Sequence, residues 1–170
     1  RVIYGTRLSV AVGFVTAALA FLIGTTYGSI AGFYGGKIDG ILMRGVDLAY
    51  SIPDLLVMIL IGVSLPPAVG RTPIGILLAL GLVSWMGTAR LVRAQLLQLQ
   101  HEEFVDAARA AGQGTLNIIV KHLLPNAMGP IIVALTFTVP SAILSESTLS
   151  FIGLGLAPPA ASWGTLANDG

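Results

Sequence analysis

Residues 8–36 read LSVAVGFVTAALAFLIGTTYGSIAGFYGG and carry no charge. A helix needs about 20 mainly apolar residues to cross a bilayer, so this run is long enough for one crossing. Three more uncharged runs follow, at 55–70, 72–89 and 123–145. The whole chain is 55% hydrophobic and 10% charged, against about 25% charged residues in soluble domains. Too little polar sequence remains to cover four such segments in water, which excludes a soluble core. The expected fold is all-α and polytopic, one membrane domain over 1–170, with spans at about 8–33, 45–65, 73–95 and 126–147. The second span has to tolerate Asp47 and Asp54.

The net charge is +1, and no basic stripe points to nucleic acid. The chain has no cysteine, so it has neither a disulfide framework nor a cysteine metal site. It opens on Arg1 and reads as a segment of a longer protein. Cytoplasmic loops collect Lys and Arg. Placing 90–121 inside puts Lys37, Arg44, Arg90, Arg93, Arg109 and Lys121 on the cytoplasmic side, against Arg1, Arg7 and Arg71 outside.

Gly24, Gly28, Gly32 and Gly36 recur every four residues. On a helix they form one smooth stripe that lets backbones approach closely in lipid. The stripe fits packing within this chain or the interface with a second subunit. The turn Gly35-Gly36-Lys37-Ile38 superficially suggests a phosphate loop. The pattern G-x-x-x-x-G-K-[ST] fails, however: Ala31 stands at the upstream glycine position and Ile38 follows Lys37. Pro53 should kink the second span. Asp54 beside it either belongs to a translocation path or sits near the cytoplasmic surface, solvated or paired with Arg44 or Arg90.

Between the third and fourth spans lies a polar insert rich in Ala and Gly, 100–125. Glu102, Glu103 and Asp106 suit the N-terminus of a short helix, where the helix dipole favours acids. Phe104, Ala107, Ala108 and Ala111 fall on one face of it, and Gly112 is a natural left-handed stop. A second short helix over about Leu116–Leu124 is expected to end at Pro125. His101-Glu102-Glu103 begins like H-E-x-x-H, but Val105 stands where the second histidine belongs. No metal site, catalytic residue or cofactor is expected.

The insert resembles the "EAA" loop of ABC-importer permeases, whose pattern is E-A-A-x-x-x-G, nine residues, I-x-L-P. Asp106, Ala107, Ala108, Gly112, Leu124 and Pro125 fall on it, with Asp106 in place of the usual Glu and His122 in place of the usual Ile. The likeness extends over the whole chain. It is carried by Gly5-Thr6-Arg7-Leu8-Ser9, Gly32-Phe33-Tyr34-Gly35-Gly36, Met43-Arg44, Lys121-His122-Leu123-Leu124-Pro125-Asn126, Leu149–Leu156 and Trp163-Gly164. More narrowly it resembles the dipeptide, oligopeptide and nickel branch, and residues 163–170 are similar to the "C-type" permease subunit of oligopeptide importers.

The resemblance implies a type I importer-like transmembrane core in a prokaryotic plasma (inner) membrane, with one more helix at each end of the full subunit. It implies partners: a second homologous permease subunit in a heterodimer, two cytosolic ATP-binding subunits, and an external substrate-binding protein. Glu103, Asp106, Ala107, Ala108, Gly112, Leu124 and Pro125 would form the element that docks on an ATPase subunit. The chain itself would not be an enzyme.

Glu146 ends the last uncharged run and, with Asp54, is a candidate path or gate residue. The segment 148–170, with Pro158-Pro159 and Trp163, is too broken to span. It reads as an outer mouth that meets the binding protein, or as a connecting loop. A self-contained secondary transporter or channel is the alternative function. It would want ionisable residues or broken helices at mid-membrane depth.

Overall fold

The computed structural model describes residues 2–157 and 160–169. Arg1, Pro158, Pro159 and Gly170 lie outside the described residues, so the expectations placed on them rest on sequence alone. Every element among the described residues is helical: α1 Val2–Tyr34, α2 Gly36–Tyr50, α3 Asp54–Ser64, α4 Pro67–Gly70, α5 Pro73–Leu99, α6 Glu103–Ala110, α7 Thr115–Ile118, a π-helical turn Ile119–Leu123, α8 Leu124–Phe151 and α9 Trp163–Asp169. Three helices are long and apolar enough to cross a membrane: Val2–Tyr34, Pro73–Leu99 and the continuous Thr115–Phe151.

The expected span over 45–65 is not one helix. α2 and α3 are bent by 83° at Ser51-Ile52-Pro53. Proline restrains the residue before it away from the helical region, and Pro53 is extended at ψ 129°. The chain therefore stops and restarts there, which is a larger change than the kink expected from a single proline. α3 begins directly at Asp54.

α1 packs most extensively on α5, the two running parallel. Gly24, Gly28 and Gly32 make this possible. A Cβ at Gly24 would come within 2.6 Å of Thr88 Cβ, and one at Gly32 within 2.9 Å of Leu96 Cβ. At Gly28 it would overlap the Ala89 carbonyl oxygen. Four residues along α1 match four residues along α5, so the stripe serves packing within this chain. Gly36 is not part of it. Gly35 and Gly36 adopt φ 59° and 52°, the chain turns there, and a Cβ at Gly36 would meet nothing within 4 Å.

Two apolar cores result. One lies between α1, α3, α5 and α8 around Leu80, Val83, Met86 and Ala142. The other joins the last turns of α5 to the insert through Val92, Leu96, Val105, Ile118, Leu123, Ala127 and Ile131. At this loop end, Arg93 makes two bonds to the Asp39 carboxylate, and Arg90 pairs with Asp47 while lying 4.1 Å over the Tyr50 ring. These pairs hold α2 across the C-terminal part of α5. At the opposite end Arg71 Nη2 donates to the Gly153 carbonyl at 3.1 Å, and Ala157 N–H to the Arg71 carbonyl at 3.0 Å. Trp163 Nε1 donates to Thr6 Oγ1 at 3.0 Å. The segment after α8 thus folds back over the N-terminus of α1.

Candidate functional site

The insert is built on α6. Its buried residues are Val105, 0% exposed, and Ala108, 5% exposed. Ala107 and Ala111 are exposed, so the expected Phe104/Ala107/Ala108/Ala111 face is rotated by about one residue. Ala108 is therefore an attachment point. Glu103, Asp106, Ala107, Ala110 and Gly112 form the outward surface. Asp106 and Arg109 pair at 3.1 Å on that surface, an exposed contact worth little in water.

Gly112, at φ 75°, closes α6. Gln113 N–H reaches the Ala108 carbonyl at 3.1 Å and Gly112 N–H the Arg109 carbonyl at 2.9 Å, which is the paired Schellman arrangement. Gln113 Oε1 then lies 2.9 Å from both Asn117 Nδ2 and His122 Nε2. His122 thus bridges the two helices of the insert, a packing role that fits the spacing of the loop pattern.

Pro125 does not end a helix. Leu124 N–H bonds to the Ile119 carbonyl, five residues back. This π-type turn adds a residue just before the proline, which cannot donate and crowds the preceding turn. Asn126 Nδ2 covers the His122 carbonyl at 2.6 Å. The helix continues from Thr115 to Phe151. Leu124 is half-buried against the loop core, and Pro125 is exposed. Beside the insert, Leu116 and Val120, 74% and 53% exposed, line a shallow groove that sequence reading missed. An exposed Leu in a polar loop was its only signal.

A second candidate region is a cleft of about 250 Å³ between α3, α5 and α8. Asp54, Tyr50, Ser84, Thr138, Ser141 and Ser145 are the polar residues that line it. Asp54 is exposed and pairs with neither Arg44 nor Arg90 among the described residues. The α8 hydroxyls at 138, 141 and 145 follow helical spacing, a signal present in the sequence but not distinguished there from ordinary small residues.

Glu146 is not on this cleft. It is 0% exposed and faces α1. Ser150 Oγ donates to it at 2.7 Å and Ser9 Oγ at 3.4 Å. Those two hydroxyls in turn accept from Leu156 N–H at 3.3 Å and Trp163 N–H at 3.2 Å. The carboxylate is a buried anchor for the returning segment and does not line the α3–α5–α8 cleft. Asp54 and Glu146 therefore do not form one site. Among the described residues, no group of three or more His, Asp or Glu could hold a metal ion.

The family model "Binding-protein-dependent transport system inner membrane component" matches residues 24–170. The chain is 50% identical to the dipeptide transport system permease protein DppC of Bacillus subtilis (strain 168), over 100% of this chain and 52% of that protein. It is 45% identical to the oligopeptide transport system permease protein OppC of the same organism, over 98% of this chain and 53% of that protein. The chain thus spans about half the length of the curated relatives it matches. Among solved structures, an inward-facing MetNI methionine ABC transporter matches with TM-score 0.74 at 19% identity, covering 97% of this chain and 77% of that one. That likeness establishes the shared fold. Several apolar helices fit a multi-pass protein of the plasma membrane. The chain belongs to the family of binding-protein-dependent transport system inner membrane components.

Proposed function

We propose that this chain is the core of a permease subunit in an ATP-driven importer of di- and oligopeptides. The carrying observation is the insert: a small, outward-facing helix, α6, fixed to the bundle by a buried core and by the Gln113–His122 and Gln113–Asn117 bonds. Among the described residues, nothing covers Ala107, Ala110 or Gly112. Small residues let a partner surface approach closely, and Glu103 and Asp106 can meet basic groups. The partner is a cytosolic ATP-binding subunit, with the insert on the cytoplasmic side. A rigidly attached helix passes a partner's two-state movement on to the spans.

The chain hydrolyses nothing itself. A second permease subunit completes the path, the α3–α5–α8 cleft forms this chain's share of it, and an external binding protein delivers the peptide. The names of the relatives at 50% and 45% identity support the peptide class. The α2–α3 break, with Asp54 beside it, would also suit a secondary transporter. The family match and the docking helix favour the importer.

The chain has no native cysteine, so Ala107→Cys can be paired with single cysteines in the ATPase groove of the assembled complex. Crosslinking that depends on nucleotide is expected. A transporting complex that never crosslinks there would overturn the docking assignment.

A further inference from the structure

The side chain at the α2–α3 break suggests a chemistry for the path. α3 is 11 residues long, about 16 Å from end to end, roughly half the thickness of a 30 Å hydrocarbon core. Asp54 opens this helix and Ser64 closes it, so the carboxylate stands about half a core thickness from the α3–α4 turn. Ser84 stands 11 residues into α5, on the facing wall of the cleft.

Asp54 occupies the first turn of α3, where the helix N-terminus favours a carboxylate, yet that end carries no side-chain cap hydrogen bond. Among the described residues that line the cleft, it is the only charged one. The closest candidate counter-ion along α5, Arg90, is held by Asp47 and the Tyr50 ring. An ionisable group in a cleft between spanning helices normally marks a path or a partner. Hydroxyls from Ser84, Thr138, Ser141 and Ser145 share the cavity. One carboxylate with neutral hydroxyls is a poor site for a transition metal, which wants imidazole or thiolate. It suits a primary ammonium, whose three donors need several oxygens at once.

We propose, building on the importer reading, that Asp54 and this row of hydroxyls form a transient binding station for a primary ammonium group of the passing peptide. The ammonium can come from the peptide's N-terminus or from a lysine side chain. The station draws the cationic end into the cleft and disfavours entry of the carboxylate end.

The test uses the complete importer in proteoliposomes, with Ala-Ala and Lys-Ala as substrates loaded on the binding protein. Asp54→Asn is expected to lower ATP-driven uptake of Lys-Ala about tenfold, a loss of one charge contact. Asp54→Glu should recover most of it. ATP hydrolysis stimulated by the loaded binding protein should persist in both. An equal loss for Ala-Ala assigns the station to the N-terminus, and a loss confined to Lys-Ala assigns it to the side chain. Wild-type uptake of both dipeptides by Asp54→Asn would overturn the proposal. So would loss of co-purification with the second permease subunit, which would make Asp54 half of an intersubunit ion pair. If the unmodified complex shows no ATP-driven peptide uptake at all, it is the importer reading that fails.

Discussion

Gly28→Ala tests the packing of α1 on α5 most directly. The added Cβ would overlap the Ala89 carbonyl oxygen and sit 2.9 Å from Val92 Cβ. Both are at the core of the α1–α5 contact: Ala89 and Val92 are 0% exposed. A backbone carbonyl cannot swing aside as a side chain can. Restoring ordinary contact requires the two helices to part by about 1 Å. Overpacking of this kind costs about 1–3 kcal/mol. For a chain of this size that lowers Tm by about 2–10 °C.

Gly24→Ala and Gly32→Ala provide a gradient, with shortest approaches of 2.6 and 2.9 Å. Their losses should rank below Gly28, with Gly32 the mildest. Gly40→Ala is the internal control, since its Cβ would meet nothing within 4 Å. It should be neutral or stabilising by up to about 1 kcal/mol, because alanine is the better helix former. Fluorescence-detected melting of the purified membrane subunit measures all four. If Gly28→Ala melts with Gly40→Ala, the close approach of α1 and α5 is wrong.

Replacing Glu146 with Leu strips the acceptor from two buried serine hydroxyls, a cost of about 2 kcal/mol. Hydrogen exchange at 153–166 should accelerate while the α5 core stays protected. Unchanged exchange there would contradict the anchor role. A double-mutant cycle on Asp39 and Arg93, 12% and 33% exposed, should show a coupling of about 1–3 kcal/mol. The same cycle on Asp106 and Arg109, 69% and 46% exposed, should stay below about 0.5 kcal/mol. Equal couplings would mean that α2 is not held to α5 by charge.

Much of the architecture was legible because hydropathy is a local property. The uncharged runs mark the long helices, and the Ala/Gly insert with Gly112 marks α6 and its stop. What escaped depends on partners distant in sequence. Glu146 looks like an interfacial charge until Ser9, 137 residues away, supplies its hydrogen bond. Gly36 keeps the four-residue spacing, yet the turn at Gly35 removes it from the helix that the spacing assumes. Pro53 and Pro125 carry the same local rule with opposite outcomes. The first separates two helices by 83°, whereas the second is absorbed by a π turn. Only the surrounding packing distinguishes them. The hydroxyls of the cleft were equally hidden, since small polar residues are common in spanning helices.

The helix that absorbs Pro125 has a mechanical consequence. Thr115–Phe151 is 37 residues long, about 55 Å from end to end. A tilt of about 5° around its centre would carry the two ends roughly 2–3 Å in opposite directions. Under the proposed docking, a push at the insert would reach the far end of the same rigid body without a relay of side chains. The lever is softest where Pro130 and Pro140 remove rungs of its hydrogen-bond ladder. Ala134, Phe137 and Thr138 lie between those two joints and on the wall of the cleft. The compliant stretch of the lever is the stretch that lines the cleft.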